Sequence, residues 1–166
     1  MAAGIDGGLE SPQTALVHGT ALVIGDRGVI LRGPPGSGKS DLALRALCGT
    51  SNVLMPWAVR LIADDQVSVT RGIGGVTIAA PPTIAGKLEV RGLGIVDLAP
   101  AAVATGSSRL VLVVDLTDSR DLIERMPEWA VTDILGTKVA CLKLYPFDGT
   151  AAVKLVLAVL AAPATL

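Results

Sequence analysis

Val29-Ile30-Leu31-Arg32-Gly33-Pro34-Pro35-Gly36-Ser37-Gly38-Lys39-Ser40 is the stretch that decides how this 166-residue chain is read. Val29–Arg32 is a short apolar run suited to a buried strand, and Gly33 ends it. The next eight residues satisfy G-x-x-x-x-G-K-[ST], in which glycines let successive backbone N–H groups turn inward around a polyphosphate. A shuffled chain of this composition would give roughly 0.008 such matches, so glycine content alone does not produce the motif. Leu42–Leu47 then reads as a short helix that Gly49 ends. Strand, Gly loop and helix follow in the order the mechanism requires. The cradle residues are Gly33, Pro34, Pro35, Gly36, Ser37, Gly38, Lys39 and Ser40. Lys39 reaches the β and γ phosphates of a nucleotide such as ATP, Ser40 ligates Mg²⁺, and the helix N-terminus adds partial positive charge.

Upstream, Ala15–His18 and Ala21–Ile24 are β-rich runs separated by Gly19-Thr20, and Asp26-Arg27-Gly28 leads into the buried strand. Residues 1–13 read as a flexible tail without the basic and apolar regions of a secretory signal. Downstream, Thr50–Trp57 reads as a loop, Val59–Ala63 as a strand, and Asp64-Asp65 stands at its end. Val67–Thr70 and Val76–Ala79 are further strands, and Leu110–Leu116 is continuous enough for a central one. Asp118–Met126 reads as a short helix stopped by Pro127, Lys138–Leu144 as a strand, and Thr150–Ala162 as a helix N-capped by Thr150. The fold class that follows is α/β: residues 14–166 form one P-loop-containing domain with a mixed, strand-rich sheet and few helices.

Composition narrows the function. Fourteen Lys and Arg against fifteen Asp and Glu leave a net charge of −1, so no broad basic field serves nucleic acid or an anionic membrane. The longest apolar stretch, Ala151–Ala162, is interrupted by Lys154 and falls short of the ~20 residues of a membrane span. A soluble, cytoplasmic protein is expected. With 51% hydrophobic and only 17% charged residues, an apolar subunit interface and a homo-oligomer are expected as well. Cys48 and Cys141 read as two buried thiols, and the chain lacks the Cys and His ligands of a zinc site.

A P-loop enzyme needs a carboxylate at the end of a neighbouring strand to hold its metal, and Asp64-Asp65 supplies two. Adjacent residues point to opposite sides, so one acid serves the metal and the other is available as a base for an incoming hydroxyl. Which acid takes which part is left open by the spacing. Glu89 and Arg91 share one side of "LEVRGLG" while Leu88 and Val90 face the core, either as a surface ion pair or as an acid and arginine of the site. His18 is the single histidine. These features define phosphoryl transfer from a bound nucleotide to a hydroxyl acceptor. A small-molecule kinase with an Arg-rich lid, and a nucleotide-binding regulatory module without transfer activity, are the competing readings.

Taken in order, His18, "GPPGSGKS", "RLIADD", "APP" at Ala80–Pro82 and "LEVRGLGIVDL" resemble the catalytic domain of the HPr kinase/phosphorylase family. The "EVRGLGI" block is the specific part, and the likeness runs from about Thr14 to Gly149, in a short form lacking the family's N-terminal domain. The resemblance implies an ATP- and Mg²⁺-dependent enzyme that phosphorylates a serine of the phosphocarrier protein HPr and removes that phosphate by phosphorolysis, as a hexamer. By position it implies Lys39 on phosphate, Ser40 and Glu89 on Mg²⁺, and Asp65 as the acid that exchanges the serine proton, so that the strand-end reading leaves Asp64 to the metal. It also implies an essential His18, a contribution from Arg125 in "LIERMP", and use of Leu88–Asp97 in both directions. The stretch "LYPFDGT" departs from the pattern, carrying Asp148 where basic residues are common, so phosphorolysis is expected to be weak.

Overall fold

In the computed structural model, which describes residues 12–49 and 56–163, the chain runs through eleven strands and two helices. The strands are β1 (Gln13–His18), β2 (Thr20–Ile24), β3 (Arg27–Arg32), β4 (Val59–Ala63), β5 (Gln66–Gly72), β6 (Gly75–Ala79), β7 (Lys87–Val90), β8 (Gly94–Asp97), β9 (Ser108–Leu116), β10 (Ala130–Ile134) and β11 (Thr137–Leu144). The helices are α1 (Lys39–Leu47) and α2 (Ala151–Ala161). Residues 1–11 of the expected tail and 50–55 of the expected loop lie outside the described residues, and Gln13 already opens β1.

Alternation along β2 and β3 explains why these strands form the middle of the molecule. Leu22, Ile24, Val29 and Leu31 enter one apolar core while Ala21, Val23 and Ile30 enter another, so both faces are covered. The main sheet runs β1-β5-β6-β9-β3-β2-β4 and is mixed. Strand β9 is its branch point: Ser108 and Arg109 pair with β6, and Leu112–Leu116 pair in parallel with β11. Strand β3 lies parallel to β9 on its other side. The carboxyl ends of β3, β9 and β11 therefore open on one edge. Helices α1 and α2 cover the first core through Leu42, Ala43, Ala46, Leu155, Val156 and Val159. The β7–β8 hairpin stands apart from the main sheet and is anchored there by Leu88, which is fully buried. This is the expected α/β architecture, strand-rich with two helices.

Three local expectations need correction. Asp118–Met126 is not an α-helix; only a 3-10 turn, Arg120–Leu122, forms. The Ser119 side chain accepts from Asp121 N at 3.3 Å and Thr117 Oγ1 from Ser119 N at 3.3 Å, so short polar side chains take backbone donors that a helix would need. Cys48 is exposed, because it caps the end of α1 on the solvent side; Cys141 alone is buried. Strand β10 was not foreseen. It pairs with β11 across Leu135-Gly136, whose φ values of 53° and 76° form a tight hairpin turn. Thr150 does precede α2, but its hydroxyl makes no cap bond.

Candidate active site

The cradle is built where β3 hands over to α1. Gly38 caps α1 with φ 90°, and a Cβ there would sit 3.1 Å from Phe147 Cζ, so both backbone and space demand glycine. Gly36 has φ 81°. The first intrahelical bond is Leu42 N to Gly38 O at 2.9 Å, which leaves the N–H groups at the start of α1 without helical partners and aimed at the loop. Lys39 is buried and donates from Nζ to Gly33 O at 2.9 Å and Pro34 O at 3.1 Å, so its ammonium closes the loop over itself. The Ser37 hydroxyl is buried with no partner. A buried polar atom left alone is costly, and within a ring of inward N–H groups an anionic oxygen is the partner that satisfies it.

Asp64 and Asp65 form a tight turn between β4 and β5, with Asp65 at φ 72°, a conformation Asp tolerates better than most residues. The turn sends the acids to opposite sides. Asp64 is buried and its carboxylate gathers three donors: Thr20 Oγ1 at 2.6 Å, Ser40 Oγ at 2.9 and 3.1 Å, and Glu89 N at 3.0 Å. It thereby ties β2, α1 and β7 to the end of β4. Asp65 is exposed, and its Oδ1 lies 3.2 Å from His18 Nδ1 at the end of β1. Backbone bonding from Gly19 N to Asp65 O at 3.0 Å holds the two residues together.

Of the remaining sequence candidates, Leu88 and Val90 do pack into the core, leaving the Glu89 side chain exposed on the other side of β7. Arg91 lies just beyond β7, its guanidinium 3.9 Å from the point where a Gly36 Cβ would stand, so it leans on the cradle. Arg125 is exposed between the Arg120–Leu122 turn and β10. Two features escaped sequence reasoning. Thr20 is fully buried and completes the Asp64 cluster from 44 residues away, a distance over which no local signal exists. Phe147 stands beside Gly38 with Tyr145 edge to face against it, so an aromatic-poor chain places two of its four rings together here.

A glycine-rich strand-to-helix loop on a mixed, strand-rich sheet defines the architecture, and the HPr Serine kinase C-terminal domain family matches residues 11–164. The chain belongs to that family. It is 34% identical over 139 residues to an HPr kinase/phosphorylase of Bordetella petrii, covering 80% of this chain and 42% of that protein. Against the HPr kinase/phosphorylase of Burkholderia cenocepacia it is 36% identical over 132 residues, covering 76% and 38%. The chain thus spans well under half the length of these relatives. The solved Hpr(Ser) kinase/phosphatase from Coxiella burnetii superposes with a TM-score of 0.71 at 19% identity, covering 86% of this chain and 92% of that one, which supports the fold. No helix among the described residues is long and apolar enough to cross a membrane.

Proposed function

We propose that this chain is the catalytic domain of an ATP- and Mg²⁺-dependent protein-serine kinase whose acceptor is HPr or an HPr-like phosphocarrier, with phosphorolysis as the reverse activity. The observation that carries the reading is the Asp64 carboxylate on Ser40 Oγ, directly behind a glycine cradle whose Ser37 hydroxyl is buried and unpartnered. The donor set fits Mg²⁺. Ser40 and Asp64 offer hard oxygens, and no cluster of three His, Cys, Asp or Glu side chains exists among the described residues, as suits an ion held partly by substrate phosphates. Glu89, fixed by its own N–H on Asp64, stands as the third candidate ligand. When bound, Mg²⁺ supplies charge neutralisation on the β and γ phosphates.

In this reading Lys39 leaves the Gly33 and Pro34 carbonyls for the phosphate oxygens, and the α1 N-terminus holds their charge. Asp65 accepts the serine proton as the serine oxygen bonds to the γ-phosphorus and ADP departs. His18 orients that carboxylate from 3.2 Å. Arg125, exposed on the segment before β10, is assigned to the transferred phosphoryl group. In reverse, an oxygen of inorganic phosphate bonds to the phosphoserine phosphorus, the serine O–P bond breaks with the serine oxygen taking its proton from Asp65, and the pyrophosphate so formed departs. Exposed Ile73, Leu93, Ile95 and Met126 support a homo-oligomer, for which we propose the hexamer.

The test is incubation with γ-labelled ATP, Mg²⁺ and purified HPr, followed by product separation by mass. Label on HPr supports the reading. Label on a metabolite instead, or nucleotide binding with no transfer, would replace it with a small-molecule kinase or a regulatory module.

A further inference from the structure

Phe147 has an unusual position for a large apolar side chain. It is 55% exposed, yet its ring edge lies 3.1 and 3.2 Å from the point where a Gly38 Cβ would stand, against the backbone of the cradle. Tyr145 meets it edge to face, with centroids 5.7 Å apart and planes at 74°. The loop carrying both rings is pinned on every side. Arg45 donates from NH2 to Pro146 O at 2.5 Å and from NH1 to Asp148 O at 3.4 Å. The Asp148 carboxylate is bonded by Lys154 at 2.8 Å and by Arg120, and the Arg120 guanidinium also sits 5.7 Å from the Tyr145 ring centroid. An exposed ring held this firmly is preorganised for contact.

Topology says what reaches it. Because β3, β9 and β11 are parallel, their carboxyl ends share one edge, and in open α/β sheets ligands bind in the crevice outside those ends. Strand β3 supplies the phosphate cradle there; β11 supplies the Tyr145–Asp148 loop on its flank. Phosphates seated on the α1 N-terminus leave the rest of a nucleotide to extend along one side of the cradle. Beside Gly38 that side is taken by the Phe147 ring, its edge against the glycine and much of the ring open to solvent. We propose that Phe147, buttressed by Tyr145, is the surface on which the purine base of the nucleotide stacks. The loop after β11 then sets affinity for the base, while the cradle sets affinity for the phosphates. This inference rests on the reading of the cradle as a nucleotide site.

The experiment compares two ligands, ADP and inorganic tripolyphosphate, each with Mg²⁺, by calorimetric titration of the full chain and its Phe147→Ala and Phe147→Trp variants. Phe147→Ala weakens ADP about tenfold, from the usual strength of base–aromatic stacking, and leaves tripolyphosphate within about twofold. Phe147→Trp keeps ADP affinity, and its indole emission responds to ADP and not to tripolyphosphate. Equal losses for both ligands would make Phe147 a support of the cradle and overturn the proposal. So would unchanged ADP binding in Phe147→Ala, with the nucleotide site itself left standing by the wild-type titration. A wild type that binds neither ligand would overturn both the nucleotide reading and the base platform.

Discussion

Asn at position 64 and Asn at position 65 are nearly the same chemical change, yet the geometry separates their consequences. Asp64 accepts from three donors in a buried setting. An amide offers one acceptor oxygen and one NH2. With its oxygen toward the Thr20 and Ser40 hydroxyls, the NH2 faces Glu89 N–H, donor against donor. A lost charge-assisted bond and a buried amide left unpaired together cost about 3 kcal/mol. For a chain of this length about 1 kcal/mol moves the midpoint by roughly 2–4 °C, so Asp64→Asn melts about 6–12 °C below wild type. Asp65 is different. Its side chain is 73% exposed, and Asn adopts its left-handed backbone as readily as Asp does. Asp65→Asn should stay within about 0.5 kcal/mol of wild type.

Turnover then separates the two roles. Removing a positioned base typically costs 10²-fold or more, so Asp65→Asn loses at least about that factor in transfer to HPr while its melting point and its affinity for ATP with Mg²⁺ are kept. The assay is the labelled-phosphate transfer run beside calorimetric melting on the same preparations. A drop of less than about 2 °C for Asp64→Asn would refute the three-donor accounting. If Asp65→Asn retains transfer within about threefold, or loses ATP binding, the division of labour between the acids is wrong and Asp64 becomes the candidate base.

Lys39→Ala should lower transfer about 10²-fold or more, since developing phosphate charge loses its counter-ion; full activity would remove the cradle from the mechanism. Leu88→Ala should cost about 2–5 kcal/mol by opening a cavity beneath β7, read as a lower melting point, and an unchanged one would mean that the hairpin is not anchored there. At pH 8 one thiol, Cys48, should react quickly with a disulfide reagent, and Cys48→Ser should abolish that phase. Burial, and then Asp115, push Cys141 up to about 11 from an ordinary 9.0. The folded value being the higher, its contribution to stability is complete below pH 9.0 and is lost as pH rises toward about 11, so Cys141→Ala should flatten the alkaline fall in melting temperature across that window.

What was legible in the sequence is what depends on neighbours in the chain. The cradle is eight consecutive residues, and its strand and helix flank it directly, so the motif places Gly33–Gly38 between β3 and α1 and Lys39 and Ser40 at the start of α1 without help from the rest of the fold. Asp64 and Asp65 do point to opposite sides, as alternation predicts, but a turn beyond the end of β4, with Asp65 at φ 72°, is what sends them there. The Asp64 cluster is another matter: Thr20 and Glu89 come from 44 and 25 residues away, and only the pairing of β2 with β4 and the docking of the separate β7–β8 hairpin bring them to one point. Residues 118–126 misled because a run of helix-compatible types hid Thr117 and Ser119, whose side chains compete for backbone donors. Leu135-Gly136 hid a hairpin because Leu is a rare occupant of a left-handed turn position.

The same long-range pairing alters the argument about direction. From sequence, Asp148 reads as a negative charge where an incoming phosphate dianion needs positive ones. In the fold its carboxylate is already shared by Lys154 and Arg120, which hold it below the usual carboxylate range, and Arg45 binds the backbone on either side. Arg45 in turn is paired with Asp41 at 2.8 Å. Counting the five groups, three cations face two anions, so the loop carries a net positive charge rather than a repulsive acid. The weak phosphorolysis expected then arises because these cations are committed to shaping the loop and not to holding phosphate. Arg91, whose guanidinium stands beside Gly36 of the cradle, is, with Arg125, the cation we propose to receive it. The reverse reaction should therefore be more sensitive to Arg91→Ala than to Asp148→Asn, measured as pyrophosphate released from serine-phosphorylated HPr; the opposite ranking would return Asp148 to the part its sequence position suggests.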